Sequence, residues 1–292
     1  MNDIKYAVFI LTHGRPDKQY TYQSLRKYGY EGEVFFVIDD EDKTADEYRA
    51  KYKDKVITFC KQEWIDKTDT MDIENRRDVV VYARNAVFKI AKDLGYKYFV
   101  VLDDDYKNYE HRYPEGKKLK TVTPRKLGKA FEASFRFLIS SGILCYGWEQ
   151  GGDFIGGLNT RFKKRCVRKI MNTYFFDADK PVVFKGTIDE DMVASLYHGL
   201  LGDVIISSCD MAIQQMKTQK QKGGLTDAYL HYGTYTKSFY AVMMNPSCVK
   251  VAMMGDPRSG FDRMHHRVRY DLSCPVIMSD KWRKRDEIHI NR

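Results

Sequence analysis

Three runs of uninterrupted apolar residues dominate the first hundred positions: Tyr6-Ala7-Val8-Phe9-Ile10-Leu11, Val34-Phe35-Phe36-Val37-Ile38 and Tyr98-Phe99-Val100-Val101-Leu102. A strand with one wet face alternates apolar and polar residues. A run that is apolar at every position must be covered on both faces, which is the situation of strands in a parallel sheet. The segments between the runs read as helices. One is polar and passes through Gln23, Leu25 and Tyr28 to a stop at Gly29. A second spans residues 45–52, and a long one from about Arg76 to Leu94 ends at Gly95. A short strand is expected over residues 56–59. Strands alternating with helices give an α/β fold: a mostly parallel sheet with helices on both faces.

The second half is less regular. Residues 124–140 form an amphipathic pattern with Phe131, Phe135 and Leu138 on one side, followed by a strand-like stretch over 143–148. A Gly-rich loop covers 151–157. A helix is expected from about Glu190 to Leu200, and residues 214–226 read as a mobile polar loop. No internal repeat or Pro/Ser-rich linker divides the chain. A single domain with insertions is expected over 1–292, its donor-side half at 1–110 and its acceptor-side half at 111–292.

Composition excludes several classes. No stretch approaches the roughly 18 apolar residues of a membrane span, and no signal peptide is expected ahead of the first strand. The six cysteines are scattered without zinc-like spacing, which points to reduced thiols and a cytoplasmic protein, in the host cytoplasm if viral. The formal net charge is +9. It is concentrated between His111 and Ile170, where 14 Lys and Arg face four acids, with the densest run at Arg161, Lys163, Lys164 and Arg165. A second basic cluster lies at 281–285. Cations interleaved with aromatic residues suit a polyanion, although a solubilising surface has the same composition.

Ligands of open α/β sheets bind beyond the carboxyl ends of the strands. Three polar segments fall there: Thr12-His13-Gly14-Arg15-Pro16, Asp39-Asp40-Glu41-Asp42 and Asp103-Asp104-Asp105. In an extended strand end, Asp103 and Asp105 point to the same side and Asp104 to the other. Two carboxylates on one side repel unless a cation lies between them. A hard divalent ion, Mg²⁺ or Mn²⁺, removes the repulsion and leaves positions open for a diphosphate. A solvated acidic turn is the plainer alternative. The chain lacks both the GxGxxG of dinucleotide folds and the GK[ST] of a P-loop, so a dehydrogenase and a P-loop ATPase are poor fits.

In order along the chain, the segment at 12–16, Asp39-Asp40, Arg84-Asn85 and the Asp103–Asp105 triplet resemble GT-A nucleotide-sugar glycosyltransferases. In detail they are most similar to the TET/JBP-associated and base J glucosyltransferase-like enzymes of phages, over roughly residues 4–270. The resemblance implies that Thr12, Arg15, Asp39, Asp40, Arg84, Asn85 and Asp104 surround a nucleotide sugar, expected to be UDP-linked. Asp103 and Asp105 would bind the metal, with His265 or His266 completing its shell. It also implies a catalytic base at the head of a later helix, where Asp189, Glu190 and Asp191 stand. Asp191 is the first choice, and an acidic helix cap is the alternative for any of the three. Trp148, Gly151 and Gly152 would shape the acceptor pocket, and Arg161, Lys163, Lys164 and Arg165 would meet DNA.

The expected reaction is transfer of a sugar to a 5-hydroxymethylpyrimidine in DNA, inverting if one base serves an acceptor on the opposite face. A glycosyltransferase with a non-DNA acceptor, a catalytically silent DNA-binding module and a nucleotidyltransferase are the alternatives.

Overall fold

The structure is a computed structural model that describes residues 4–70, 76–150, 170–216, 235–255, 262–273, 275 and 277–282. The three apolar runs form β1 (Tyr6–Leu11), β2 (Val34–Asp39) and β4 (Tyr98–Asp103), all almost wholly buried. β1 pairs in parallel with β2 on one side and β4 on the other, and β3 (Val56–Phe59) continues in parallel beyond β2. Their carboxyl ends therefore share one edge of the sheet.

Alternation along β1 supplies two cores. Ala7, Phe9 and Leu11 pack with Phe99, Phe176 and the α4 helix (Val81–Asp93), including Phe88. Val8 and Ile10 pack on the opposite face with Phe131 and Phe135 of α5 (Leu127–Ser141) and with Trp148. Each such side chain contributes about 1.5–3 kcal/mol on burial, so both faces of the sheet are held by apolar contact. α5 stops at Gly142, whose left-handed backbone (φ 69°) closes the last turn on the Leu138 carbonyl.

Past β4 the sheet changes character. β8 (Tyr174–Asp177) runs antiparallel to β4 and to β7 (Cys145–Gln150). β7 pairs in parallel with β9 (Ile205–Gln215), and β9 is antiparallel to β5 (Tyr106–Glu115), itself in a hairpin with β6 (Lys118–Val122). The result is one nine-stranded sheet in the order β3-β2-β1-β4-β8-β7-β9-β5-β6. The first-half strands are parallel and the second half is mixed. A boundary at residue 110 falls inside β5.

The remaining helices are α1 (Tyr20–Lys27), α2 (Ala45–Tyr52), α3 (Lys61–Lys67), α6 (Glu190–Leu200) and α7 (Tyr235–Met244). A separate antiparallel ribbon of β10 (Val249–Gly255) and β11 (Asp262–Val268) joins α6 and α7 in a third small cluster. Two expected elements are corrected. The long helix begins at Val81 rather than near Arg76, because Arg76 closes a side-chain fork on Asp78 and its carbonyl accepts the Tyr82 hydroxyl. Gln214 and Gln215 of the expected polar loop belong to β9; residues 217–226 lie outside the described residues. Among the described residues, no helix is long and apolar enough to cross a membrane.

Candidate active site

The loop after β1 and the acids after β2 and β4 form one hydrogen-bonded assembly. Thr12 Oγ1 donates to Asp104 Oδ2 at 2.6 Å, lies 2.7 Å from the Tyr48 hydroxyl and accepts from Gln19 Nε2 at 2.8 Å. Arg15 Nε sits 3.1 Å from the same Asp104 oxygen. Asp104 is buried, which raises its carboxyl to about 6 against the opposing pull of Arg15 and Thr12. Asp39 is buried between His13 (2.8 Å) and Lys61 (2.8 Å). Burial pushes its pKa up, but these two partners outweigh it and hold the carboxyl below its ordinary value. The Gly14 N–H donates to Asp42. Asp40 stays exposed, accepting only the Lys61 backbone N–H among its described side-chain bonds.

Asp103 and Asp105 keep part of their surface open. Burial raises Asp103 to about 7, with Arg84 opposing and the Asp105 and Asp104 charges adding. Asp105 is raised by burial too, while Gln215 Nε2 donates to it at 3.2 Å and is itself contacted by Gln150. The Thr21 hydroxyl donates to the Asp103 carbonyl and accepts the Tyr106 N–H, which anchors the triplet to α1. Among the described residues no group of three or more His, Cys, Asp or Glu forms a ready-made cage. Two oxygen donors with open positions suit Mg²⁺ or Mn²⁺, which retain waters and take phosphate oxygens, and do not suit a closed zinc site.

Arg84 joins this edge to the second half of the chain. Its buried guanidinium lies 3.1 Å from Glu190 Oε1 and 3.7 Å from Asp103 Oδ1, and it donates to the Tyr174 hydroxyl at 2.9 Å. The rings of Tyr174 and Phe184 flank it. Glu190 is buried, and burial, opposed by Arg84 and reinforced by Asp191, raises its pKa. Asp189, just before α6, has a left-handed backbone (φ 58°), uncommon for a residue with a side chain and a feature that recurs at functional sites. Its buried carboxylate is 3.2 Å from His266 Nδ1 on β11. Asp191 alone of the three is only half-buried, close enough to Arg84 to add to its electrostatic environment.

The structure thus gathers Thr12, Arg15, Asp39, Asp40, Arg84, Asp103, Asp104, Asp105, Asp189, Glu190, Asp191 and His266 around one end of the sheet. His265 precedes His266 on β11, its ring 4.4 Å from the His266 ring and its Nδ1 against the His266 carbonyl. Two expectations are corrected. Trp148 is 1% exposed, its indole N–H donating to Ser134 and its ring packed on Phe131 and Phe175, so it is a core side chain and not a stacking surface. Asn85 gives both amide hydrogens to Thr68 and the Phe184 carbonyl and accepts the Phe184 N–H, so it anchors that segment and has no donor left for a nucleotide. Gly151, Gly152, Arg161, Lys163, Lys164 and Arg165 lie outside the described residues. Lys61, Tyr48, Gln19 and Tyr174 escaped the sequence reading. Lys61, two positions past the end of β3, was open to the same strand-end argument; the other three, on α2, just before α1 and on β8, have neighbours that only the fold defines.

No curated protein matches the sequence significantly. Among solved structures, the chain is similar to glucosyl-3-phosphoglycerate synthase from Mycobacterium tuberculosis in complex with Mg²⁺ and UDP, at 8% identity and TM-score 0.45 over 92% of each chain. It is also similar to the same enzyme with Mn²⁺ and UDP-glucose, at 9% identity and TM-score 0.42 over 92% of this chain and 91% of that one. The sequence matches the family model of the TET-Associated Glycosyltransferases over residues 6–224, from β1 through β9. With the assembly of strand-end acids lying inside that span, the chain belongs to the TET-associated glycosyltransferase family.

Proposed function

We propose that this glycosyltransferase moves a sugar from a nucleotide sugar, with UDP as the carrier, to the hydroxymethyl oxygen of a modified pyrimidine in DNA. The observation that carries the reading is Arg84 held between Asp103 and Glu190. It ties the strand-end acids, suited to a donor diphosphate, to the head of α6, where Asp191 follows Glu190 and adds to the field at Arg84.

Asp103 and Asp105 would hold a divalent cation. When bound, that ion supplies charge stabilisation for the departing diphosphate. Arg15, on the loop that Thr12 and Asp104 hold, and Asp40, past the end of β2, line the nucleoside side. Asp191 accepts the proton of the acceptor hydroxyl as its oxygen bonds to the sugar C1 and the C1–phosphate bond breaks. Displacement from the opposite face inverts the anomeric centre. Glu190 and Arg84 keep Asp191 in place, and Asp189 ties α6 to β11. A DNA acceptor is supported by the positive charge concentrated in 111–170, and a hydroxymethylated base by the TET association in the family's name. Phosphate contacts make such an acceptor strongly salt-dependent. The complex structures of the similar synthase, which hold UDP with Mg²⁺ and UDP-glucose with Mn²⁺, support the choice of donor and ion only as an analogy.

The test is mass spectrometry of nucleosides from 5-hydroxymethylcytosine DNA incubated with the protein, Mn²⁺ and a panel of nucleotide sugars, with Asp105→Ala in parallel. A sugar-mass adduct that disappears in the variant is expected. Donor hydrolysis without an adduct would remove DNA as the acceptor, and neither activity would remove the donor assignment.

A further inference from the structure

The β10–β11 ribbon has two unlike faces. Its register pairs Val249 with Val268, Lys250 with Arg267, Val251 with His266, Ala252 with His265 and Met253 with Met264. Side chains alternate along each strand, so Val249, Val251 and Met253 share a face with Val268, His266 and Met264. At one end of that face Val249 and Val268 pack against α6 and α7. In its middle His266 reaches Asp189 beside the candidate base. One step further, about 7 Å along the strand, the Met253–Met264 pair stands in solvent, 63% and 41% exposed. Burial against the third cluster stops short of it.

The opposite face sets exposed Lys250 directly across from exposed Arg267. Like charges facing each other across an antiparallel rung repel. Among the described residues neither cation has a carboxylate in ion-pair range, whereas the nearby Arg269 is paired with Asp271. A cationic rung of this kind is stabilised by an external anion. Two-stranded ribbons fit the major groove of a DNA duplex, and the substituent on C5 of a pyrimidine lies in that groove. Paired bases hide the atoms an enzyme must reach, and apolar side chains inserted at a base step are one means of opening the stack.

From this juxtaposition of an exposed methionine pair, an unneutralised cationic rung and a histidine that meets the base-bearing helix, we propose that β10–β11 enters the major groove of the acceptor duplex. Lys250 and Arg267 take phosphates of the flanking backbone, and Met253 and Met264 press into the base step from which the target pyrimidine leaves the stack. The proposal rests on the reading that the acceptor is DNA.

Duplexes with 2-aminopurine beside a 5-hydroxymethylcytosine report unstacking without any sugar transfer. Wild-type protein with Mn²⁺ and UDP is expected to raise the fluorescence severalfold. Met253→Ala/Met264→Ala is expected to bind the duplex within about threefold of wild type and fail to raise it, to lose at least tenfold in transfer to the duplex, and to keep transfer to the same base in a single strand. Met253→Leu/Met264→Leu restores the signal. Lys250→Ala/Arg267→Ala makes the log–log salt dependence of duplex binding shallower by about two, one phosphate for each cation removed. Donor hydrolysis stays at the wild-type level in every variant. Equal fluorescence in wild type and the alanine pair, or an unchanged salt slope in the cation variant, would overturn the proposal. If the wild type glycosylates a single strand but neither binds nor unstacks the duplex, the ribbon assignment fails and the DNA acceptor stands. If it neither binds nor modifies either form, both fail.

Discussion

Replacing Arg84 by methionine leaves Asp103 and Glu190 facing each other with no cation between them. Methionine keeps most of the volume and can still pack on Tyr174 and Phe184, so the loss is mainly electrostatic. Removing one partner from a buried ion pair costs about 3–5 kcal/mol. For 292 residues, unfolding entropy of about 2.1 cal/mol/K per residue makes that a fall in Tm of about 5–8 °C at pH 8. The sign of the pH dependence follows from the carboxylates. Burial already raises Asp103 to about 7 and raises Glu190, with Arg84 opposing in both cases. Without Arg84 both rise further. A raised carboxylate pKa means that the folded state holds protons the unfolded chain has released. Stability therefore declines as pH climbs from the ordinary carboxylate range through about 7, and is recovered on acidification. The deficit of Arg84→Met relative to wild type should accordingly shrink by about half or more at pH 5.5. Calorimetric melting of both proteins at the two pH values, without divalent ions, measures it. An equal deficit at both pH values, or one below about 1 °C at pH 8, would show that Arg84 does not neutralise this cluster.

Asp191→Asn should lower kcat about 10²–10⁴-fold while leaving donor affinity unchanged; the same loss in Glu190→Gln, with normal melting and Asp191→Asn active, would move the base to Glu190. Because burial raises the Asp103 carboxyl to about 7, it loses most of its charge between pH 8 and pH 6. Calorimetric Mn²⁺ affinity should fall about tenfold over that range, and a flat profile would remove Asp103 from the ligand set. Trp148→Ala should destabilise by about 3–5 kcal/mol by leaving a cavity among Phe131, Phe175 and Tyr109, and Trp148→Phe by clearly less. A normal Tm in the alanine variant, with transfer to the acceptor lost, would return the ring to the acceptor pocket.

The sequence by itself determined the parallel half of the sheet, because runs apolar at every position have no solution but burial on both faces. Residues at the ends of those runs had to meet at one edge, so Thr12, Asp39 and Asp103 were legible as neighbours 92 residues apart or less. The triplet's alternation was legible for the same reason: strand geometry separates Asp104 from its neighbours locally. Tertiary structure decided what each group does there. That Asp104 is a buried anchor follows from Arg15 and Thr12 closing on it, and that Trp148 is core follows from α5 crossing its strand. Neither depends on local spacing. The antiparallel strands of the second half are short or half polar, and their pairing rests on contacts between residues far apart in the chain. The link from Arg84 to Glu190, across 106 positions, is likewise visible only once the fold sets Arg84 of α4 against the first residue of α6. It is this contact that joins the acidic strand end to the head of α6.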